Sequence, residues 1–435
     1  MRGKKIIINF FVLMIALFLT LLIVEGALRI FFPQYMYAAS SKFITSPYRI
    51  FKRIPNTSGI VVHPDTGKKQ LFIINEVGQH QHRHRNLALL NDANFIKIGI
   101  FGDSFTENMR IESQYSFVEI LDYLLNCNKK RFEVYNFGVE GYGTDQSFIY
   151  YRDSPLAPKM NYVLYIFCAN DIRNNFENRL FSCGHNGELI SNGGHHYSLF
   201  KRFISKFYLT YFLEDTYYKL STKYNFTIGS IMALWSKKSG KKSSNNMYEK
   251  VRGYYGLQME RDLLSGRRTA ATRYAKKLFY SILLSWQELA HSRKAKFILV
   301  SLPRPNERKL SYLFKNEGNF VDLWRQFYGN VNCSMSNGGC QKLYNPWRFK
   351  NNDHWNEAGN LKAAIVLYRY FSKLLGLKDY GDKWLNDRLV DYYGAFTGGW
   401  QPYQTGLVRK TVRSTNHGEE IRAKYTMLNK YYHRP

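Results

Sequence analysis

The chain has 435 residues, of which 45% are hydrophobic and 17% aromatic, enough for a globular interior in one large or two modest domains. Its formal net charge of +29 requires an explanation: nucleic acid, an anionic membrane, an acidic polysaccharide, or solubility with no partner at all. The five cysteines are an odd number, which argues against a full disulfide framework, and without a Cys-x-x-Cys pair a zinc ribbon has no support.

Met1-Arg2-Gly3-Lys4-Lys5 is a basic cluster, followed from Ile6 to Val24 by nineteen residues without a formal charge, almost all apolar. That length is close to the ~20 residues that cross a bilayer, and no polar face interrupts it. A basic flank predicts a cytoplasmic N-terminus, with the rest of the chain exported. The rival is a cleaved signal peptide, whose apolar region is usually shorter; Val24-Glu25-Gly26 makes a poor cleavage site. Export disfavours DNA or RNA as the partner and leaves lipid head groups or acidic glycan facing the charge.

Residues 1–33 therefore read as a basic tip and a transmembrane anchor. Residues 34–94 read as an extension of short strands and turns, punctuated by Pro47, Pro55 and Pro64. Within it, His80, His82 and His84 alternate with Gln81, Arg83 and Arg85. As a strand the three histidines would suit a metal, but the arginines oppose a cation, so a solvated basic loop and no metal is the expectation.

From residue 95 strands alternate with helices. Strands are predicted at Phe95 to Phe101, Phe132 to Asn136, Tyr162 to Cys168 and Lys296 to Leu302. Helices are predicted at Tyr115 to Asn126, from Thr144 to Tyr151, Arg268 to His291, Asn319 to Phe327 and Glu357 to Leu375. Residues 175–265, rich in Tyr, Phe and Lys, read as a helical insertion with a flexible loop at Lys237 to Ser244. Residues 377–435 read as a basic aromatic tail without a clear period. Cys333 and Cys340 enclose a flexible turn and suit a small-loop disulfide, while Cys168 reads as a buried hydrophobe. The alternation implies a parallel α/β sheet.

Four segments fall at predicted strand ends or loops: Gly102-Asp103-Ser104; Asn136-Phe137-Gly138-Val139-Glu140-Gly141; Cys168-Ala169-Asn170-Asp171; and Asp353-His354-Trp355-Asn356-Glu357-Ala358-Gly359. The carboxyl edge of an open parallel sheet is where ligands bind. Taken singly each segment has an ordinary alternative: a turn with a helix cap for Ser104, a turn glycine for Gly141, a cap for Asn170, a structural histidine for His354. Glu140 and Asp145 read as solvated flanks.

Together and in order, the four segments resemble the blocks of the SGNH (GDSL-type) hydrolase family, over roughly residues 95 to 376, and the basic anchor resembles the membrane-anchored subset related to polysaccharide O-acetyltransferases and esterases. The resemblance implies a three-layer α/β/α sandwich with a flavodoxin-like sheet. It implies Ser104 as nucleophile, His354 as its base, and an oxyanion hole from the N–H of Ser104, the N–H of Gly141 and the amide of Asn170, with no cofactor. Two departures stand out. Ala169 replaces a usual glycine. The aspartate expected three residues before the histidine is Asn351, and two before it, as in the O-acetyltransferases, is Asn352. Asp353 is then the only carboxylate in the motif ahead of His354, although consecutive side chains in an extended segment point opposite ways. The orienting role falls to Asp353, to Asn352 or to a backbone carbonyl, or the site works as a dyad.

The expectation is a serine-dependent ester hydrolase, single-pass in the membrane with its catalytic domain on the extracytoplasmic (periplasmic) side, acting on a small-molecule, lipid or glycan ester. The alternatives are a polysaccharide O-acyltransferase using the same residues, and an envelope-binding protein that has lost turnover.

Overall fold

The computed structural model describes residues 2–31, 43–46, 50–80, 91–127, 132–184, 186–193, 209, 256–304, 310, 319–328, 345–378 and 380–397. The expected disulfide cysteines, His82, His84, most of the insertion and the end of the tail lie outside these residues.

Helix α1 (Arg2–Phe31) is long and apolar enough over Ile8–Leu28 to cross a membrane. Most of its described apolar side chains are exposed, Leu13 and Ile23 being 65% and 72% exposed, a surface that suits lipid better than water. The extension forms two antiparallel hairpins, β1 (Phe43–Ser46) with β2 (Ile50–Arg53) and β3 (Thr57–Val62) with β4 (Lys69–Ile74).

The central sheet contains β5 (Ile96–Gly102), β6 (Phe132–Gly138), β7 (Tyr162–Phe167), β10 (Lys296–Ser301) and β11 (Phe320–Asp322). All pairings are parallel, and the order across the sheet is β11-β10-β7-β5-β6. Counted within this sheet, that is the 2-1-3-4-5 order of flavodoxin-like folds, whose switch point lies between the first and third strands, here β5 and β7. Alternation along the strands feeds two cores. Phe101, Tyr165 and Phe167 face one side, where α4 (Thr144–Asp153), α5 (Ala169–Asn178), α6 (Gly256–Ser265) and α7 (Ala270–Ser292) pack. Ile98, Ile100, Leu164 and Ile166 face the other, covered by α3 (Phe117–Asn126), α8 (Leu323–Tyr328), α9 (Glu357–Leu374) and α10 (Gly381–Thr397). The fold is a three-layer α/β/α sandwich.

Three segments differ from the sequence expectation. Residues 320–322 are a strand rather than the start of a helix, because Phe320 to Asp322 pair with Leu299 to Ser301 at the sheet edge. The insertion begins with a hairpin, β8 (Phe181–Cys183) with β9 (Leu189–Ser191), before ending in α6. The supposed tail starts with α10, whose Leu385, Leu389 and Tyr393 recur every four residues and pack into the second core.

Candidate active site

β5 ends on Gly102, followed by Asp103 and a single turn of helix, α2 (Ser104–Glu107). Asp103 caps that turn, its Oδ1 accepting from Phe105 N at 2.9 Å. Gly102 has φ +156, and a Cβ there would stand 2.3 Å from Thr106 Oγ1 and 2.9 Å from Ile166 O. A Cβ on Gly138 would stand 2.4 Å from Glu107 N. Both glycines let α2 sit down on the strand ends, and Ser104 is left part-exposed at the carboxyl edge.

His354 lies 250 residues downstream, in the loop entering α9. Its Nε2 is 2.6 Å from Ser104 Oγ. Its Nδ1 is 2.6 Å from Asn352 Oδ1, which also accepts from His354 N at 3.0 Å. An oxygen facing both groups fixes the tautomer: Nδ1 carries the proton and donates it to Asn352, leaving the Nε2 lone pair for the Ser104 hydroxyl. Phe105 stacks on the imidazole at 4.6 Å between centroids. Burial, then the charges of Arg110 and Arg304, hold the His354 pKa well below its usual value.

Asp353 does not orient the histidine. It turns the other way, accepting from Arg304 Nη2 at 2.8 Å and facing Arg348 Nη1 at 3.6 Å, and it is 51% exposed. The loop bends here: Asn352 Oδ1 turns back to accept from the backbone N–H two residues on, an Asx-type turn that carries it against His354 while Asp353 faces away. Glu140 and Asp145 are not solvated flanks either. Glu140 pairs with Arg110 at 2.7 Å, and Asp145 is buried.

Asn170 is on the first turn of α5, just past the end of β7. Its Nδ2 donates to Asp103 Oδ2 at 3.2 Å, and its Oδ1 accepts from the Cys168 thiol, which is buried as expected. One amide hydrogen remains for a ligand. One turn on, Asn174 Nδ2 donates to Gly141 O at 3.2 Å, so the same helix face spans the Ser104 turn and the Gly141 turn. Gly141 takes φ +80, a conformation that favours glycine. Among the described residues the N–H groups of Ser104 and Gly141 have no protein acceptor.

Sequence reasoning missed a set of residues that hold these groups. Asn360 of α9 accepts from both the Asn108 side chain and Phe117 N, tying the end of α2 to the helix behind His354. The N-terminal extension grips both halves. Arg53 forms a two-pronged, fully buried pair with Glu107 of α2, at 2.5 and 2.6 Å. His80, far from being a solvated loop residue, is buried and bonds Glu107 O through Nδ1 at 2.7 Å. Asp65 accepts from Lys350 N and Asn351 N at 2.9 and 3.0 Å, immediately before Asn352. His63 accepts from Asp65 N and Thr66 N on Nδ1, so its Nε2 donates to Glu357 Oε1, at 3.1 Å. No local pattern announces such partners, since each pair is far apart in sequence. Among the described residues no group of three or more His, Cys, Asp or Glu side chains forms a metal site.

No family model and no curated protein matches this sequence. Solved structures that the chain is similar to include a lipolytic protein of the G-D-S-L family from Desulfitobacterium hafniense DCB-2, at 12% identity and TM-score 0.30, over 63% of this chain and 98% of that one. Another is the lipase Lip_vut3 from a goat rumen metagenome, at 11% identity and TM-score 0.31, over 63% and 96%. A third is LAE5, an alpha/beta hydrolase enzyme from the metagenome of Lake Arreo, Spain, at 14% identity and TM-score 0.26, over 65% and 97%. These likenesses are distant, and the fold is defined by the chain's own strand order.

Proposed function

We propose that this chain is a serine-dependent ester hydrolase, anchored by α1 and acting outside the cytoplasm on an acylated envelope glycan or lipid. The observation that carries the reading is the 2.6 Å contact between Ser104 Oγ and His354 Nε2 at the carboxyl edge of the sheet, beside donors with unused hydrogens. A serine hydroxyl is a weak nucleophile until a neighbouring base takes its proton. His354 Nε2 takes it as Ser104 Oγ bonds to the acyl carbon. The carbonyl oxygen becomes an oxyanion held by Ser104 N–H, Gly141 N–H and the Asn170 amide; one such donor is worth about 3–4 kcal/mol of barrier. The imidazolium then returns the proton to the departing alcohol, leaving an acyl-serine. Water, deprotonated by His354, attacks that ester; the acyl–Oγ bond breaks as the imidazolium returns the proton to Ser104 Oγ, and the acid is released.

Asn352 has the place of the carboxylate found in Ser-His-Asp sites. Its carbonyl selects the tautomer but contributes no charge to stabilise the imidazolium. That weak base favours a second reading, transfer to a bound sugar hydroxyl, which is more acidic than water. On this reading, export of the catalytic domain disfavours nucleic acid as the partner.

The test is fluorophosphonate labelling of the full chain in detergent, together with nitrophenyl acetate turnover with and without oligosaccharide. Labelling lost in Ser104→Ala, with free acetate released, supports the hydrolase. Acetylated sugar supports the transferase. A wild-type protein that neither labels nor turns over is a binding protein, and the proposal fails.

A further inference from the structure

The Gly141 N–H, one of the three donors assigned to the oxyanion, lies on a turn rather than on a helix or strand. Tyr142 N donates to Val139 O at 3.1 Å, which closes residues 139–142 with Gly141 in third place at φ +80, as in a type II turn. The Gly141 N–H belongs to the middle peptide of that turn, and the turn's own hydrogen bond does not touch it. Its direction follows from the glycine backbone; its distance from Ser104 and Asn170 depends on what holds the turn as a whole.

Side chains from the two neighbouring helices hold it. Glu107 Oε2 accepts from Glu140 N at 2.7 Å. Glu107 stands three residues past Ser104 on α2, and Arg53 fixes its carboxylate. From the other side, Asn174 Nδ2 donates to Gly141 O at 3.2 Å and lies 3.5 Å from Tyr142 O. Two carbonyl oxygens facing one amide nitrogen settle which way round the Asn174 amide sits. Asn174 stands four residues past Asn170 on α5, so the two asparagines share a helix face. The peptide that carries the Gly141 N–H is therefore flanked at each end by a bond from a helix bearing another of the donors, Ser104 on α2 and Asn170 on α5. A third tie, from the Tyr142 hydroxyl to Phe51 O at 2.7 Å, fastens the turn to the N-terminal extension.

We propose that Asn174 is a positioning residue, which sets the Gly141 turn against Asn170 so that the three donors converge on one oxygen. It acts through Gly141 rather than on the substrate. This rests on the Ser104–His354 reading and adds a group to its machinery. An oxyanion donor works within about 2.7–3.1 Å of the charge, and a shift of about 1 Å in a catalytic group costs about a hundredfold. With Glu107 and Tyr142 still in place, loss of Asn174 displaces the turn without freeing it.

The test compares Asn174→Leu, which keeps the size and loses the donor, with Asn174→Gln, which keeps the donor on a longer stem. Asn174 is part-exposed, so neither change disturbs the core. Full-length protein in detergent is assayed with nitrophenyl acetate and with a short trifluoromethyl ketone. Ser104 Oγ adds to the ketone carbon, its proton passes to His354, and the carbonyl oxygen becomes an oxyanion where that of the ester would form. In Asn174→Leu, kcat/KM should fall about ten- to a hundredfold, less than the 10²–10³ or so of losing a whole donor. The ketone Ki should rise by a matching factor, since both quantities report the same oxyanion. The acid limb of the pH profile, which belongs to His354, should stay in place, and Asn174→Gln should recover part of both losses. An unchanged kcat/KM in Asn174→Leu overturns the proposal, as does a loss that the ketone affinity does not share or that moves the acid limb. In each of these cases wild-type turnover leaves the esterase reading standing. A wild type that neither turns over the ester nor binds the ketone overturns both.

Discussion

Replacing Asn352 by aspartate exchanges one amide nitrogen for an oxygen with almost no change in volume. It keeps the oxygen that accepts from His354 Nδ1 and N at 2.6 and 3.0 Å. What it adds is one negative charge. With that charge about 4 Å from the centre of the imidazolium, the attraction is about 4 kcal/mol at an effective dielectric of ~20 and about 1 kcal/mol at the ~80 of water. Both residues are part-buried, so the pKa of His354 should rise by about one to three units at ~1.36 kcal/mol each. The sign follows from the chemistry. His354 serves as base only when neutral, and in the native protein burial, Arg110 and Arg304 hold its pKa low. The acid limb of the native kcat/KM profile should therefore lie below the usual imidazole range, and Asn352→Asp should move it up by that one to three units. The plateau above the new pKa should rise, because a stronger base removes the serine proton more readily. The assay is nitrophenyl acetate hydrolysis from about pH 4 to about pH 9, with Ser104→Ala as the blank. An acid limb that does not move, in a protein that still labels at Ser104, would refute the placement of Asn352 against the ring.

Asp65→Ala should lower kcat by about ten- to a hundredfold with little change in KM, the usual cost of a misplaced catalytic group. Asp65→Asn should recover part of the loss, since its amide oxygen can still accept one of the two N–H groups; equal losses in both, or a fall borne by KM, would count against positioning. Arg53→Met strands the Glu107 carboxylate, whose side chain is fully buried, and should cost about 3–5 kcal/mol in urea unfolding; Glu107→Gln in the same chain should return part of it. Burial pushes the Asp145 pKa up to about 7, so the folded protein holds a proton between about pH 4 and pH 7 that the unfolded chain has released. Stability should fall as pH rises across that window, and Asp145→Asn should remove that part of the slope; parallel curves for the two proteins would contradict it.

Much of the architecture was legible because it is written locally. The buried runs that became β5, β7 and β10 carry no polar alternation, and the helices between them repeat their apolar residues at helical spacing. A serine after Gly102, a glycine at 141, an asparagine after β7 and a histidine before α9 could be placed at one sheet edge from that alternation and from the resemblance. Where the local signal was thin, the expectation slipped. Phe320 to Asp322 became a strand because the edge of β10 offered unpaired backbone, and the apolar spacing of Leu385, Leu389 and Tyr393 is short and set among charged residues.

The alternation of strands and helices, and the candidate side chains at the strand ends, were thus legible in the chain itself, through hydrophobic period and the motif resemblance. Which neighbour holds the imidazole was not. Asp353 and Asn352 are adjacent in sequence, and one bend of the loop sends the carboxylate to Arg304 and the amide to His354. The grip of Arg53, Asp65 and His80 on the two halves of the site was equally invisible, because a hydrogen bond between distant residues leaves no periodicity in either segment. Only folding brings the partners within reach.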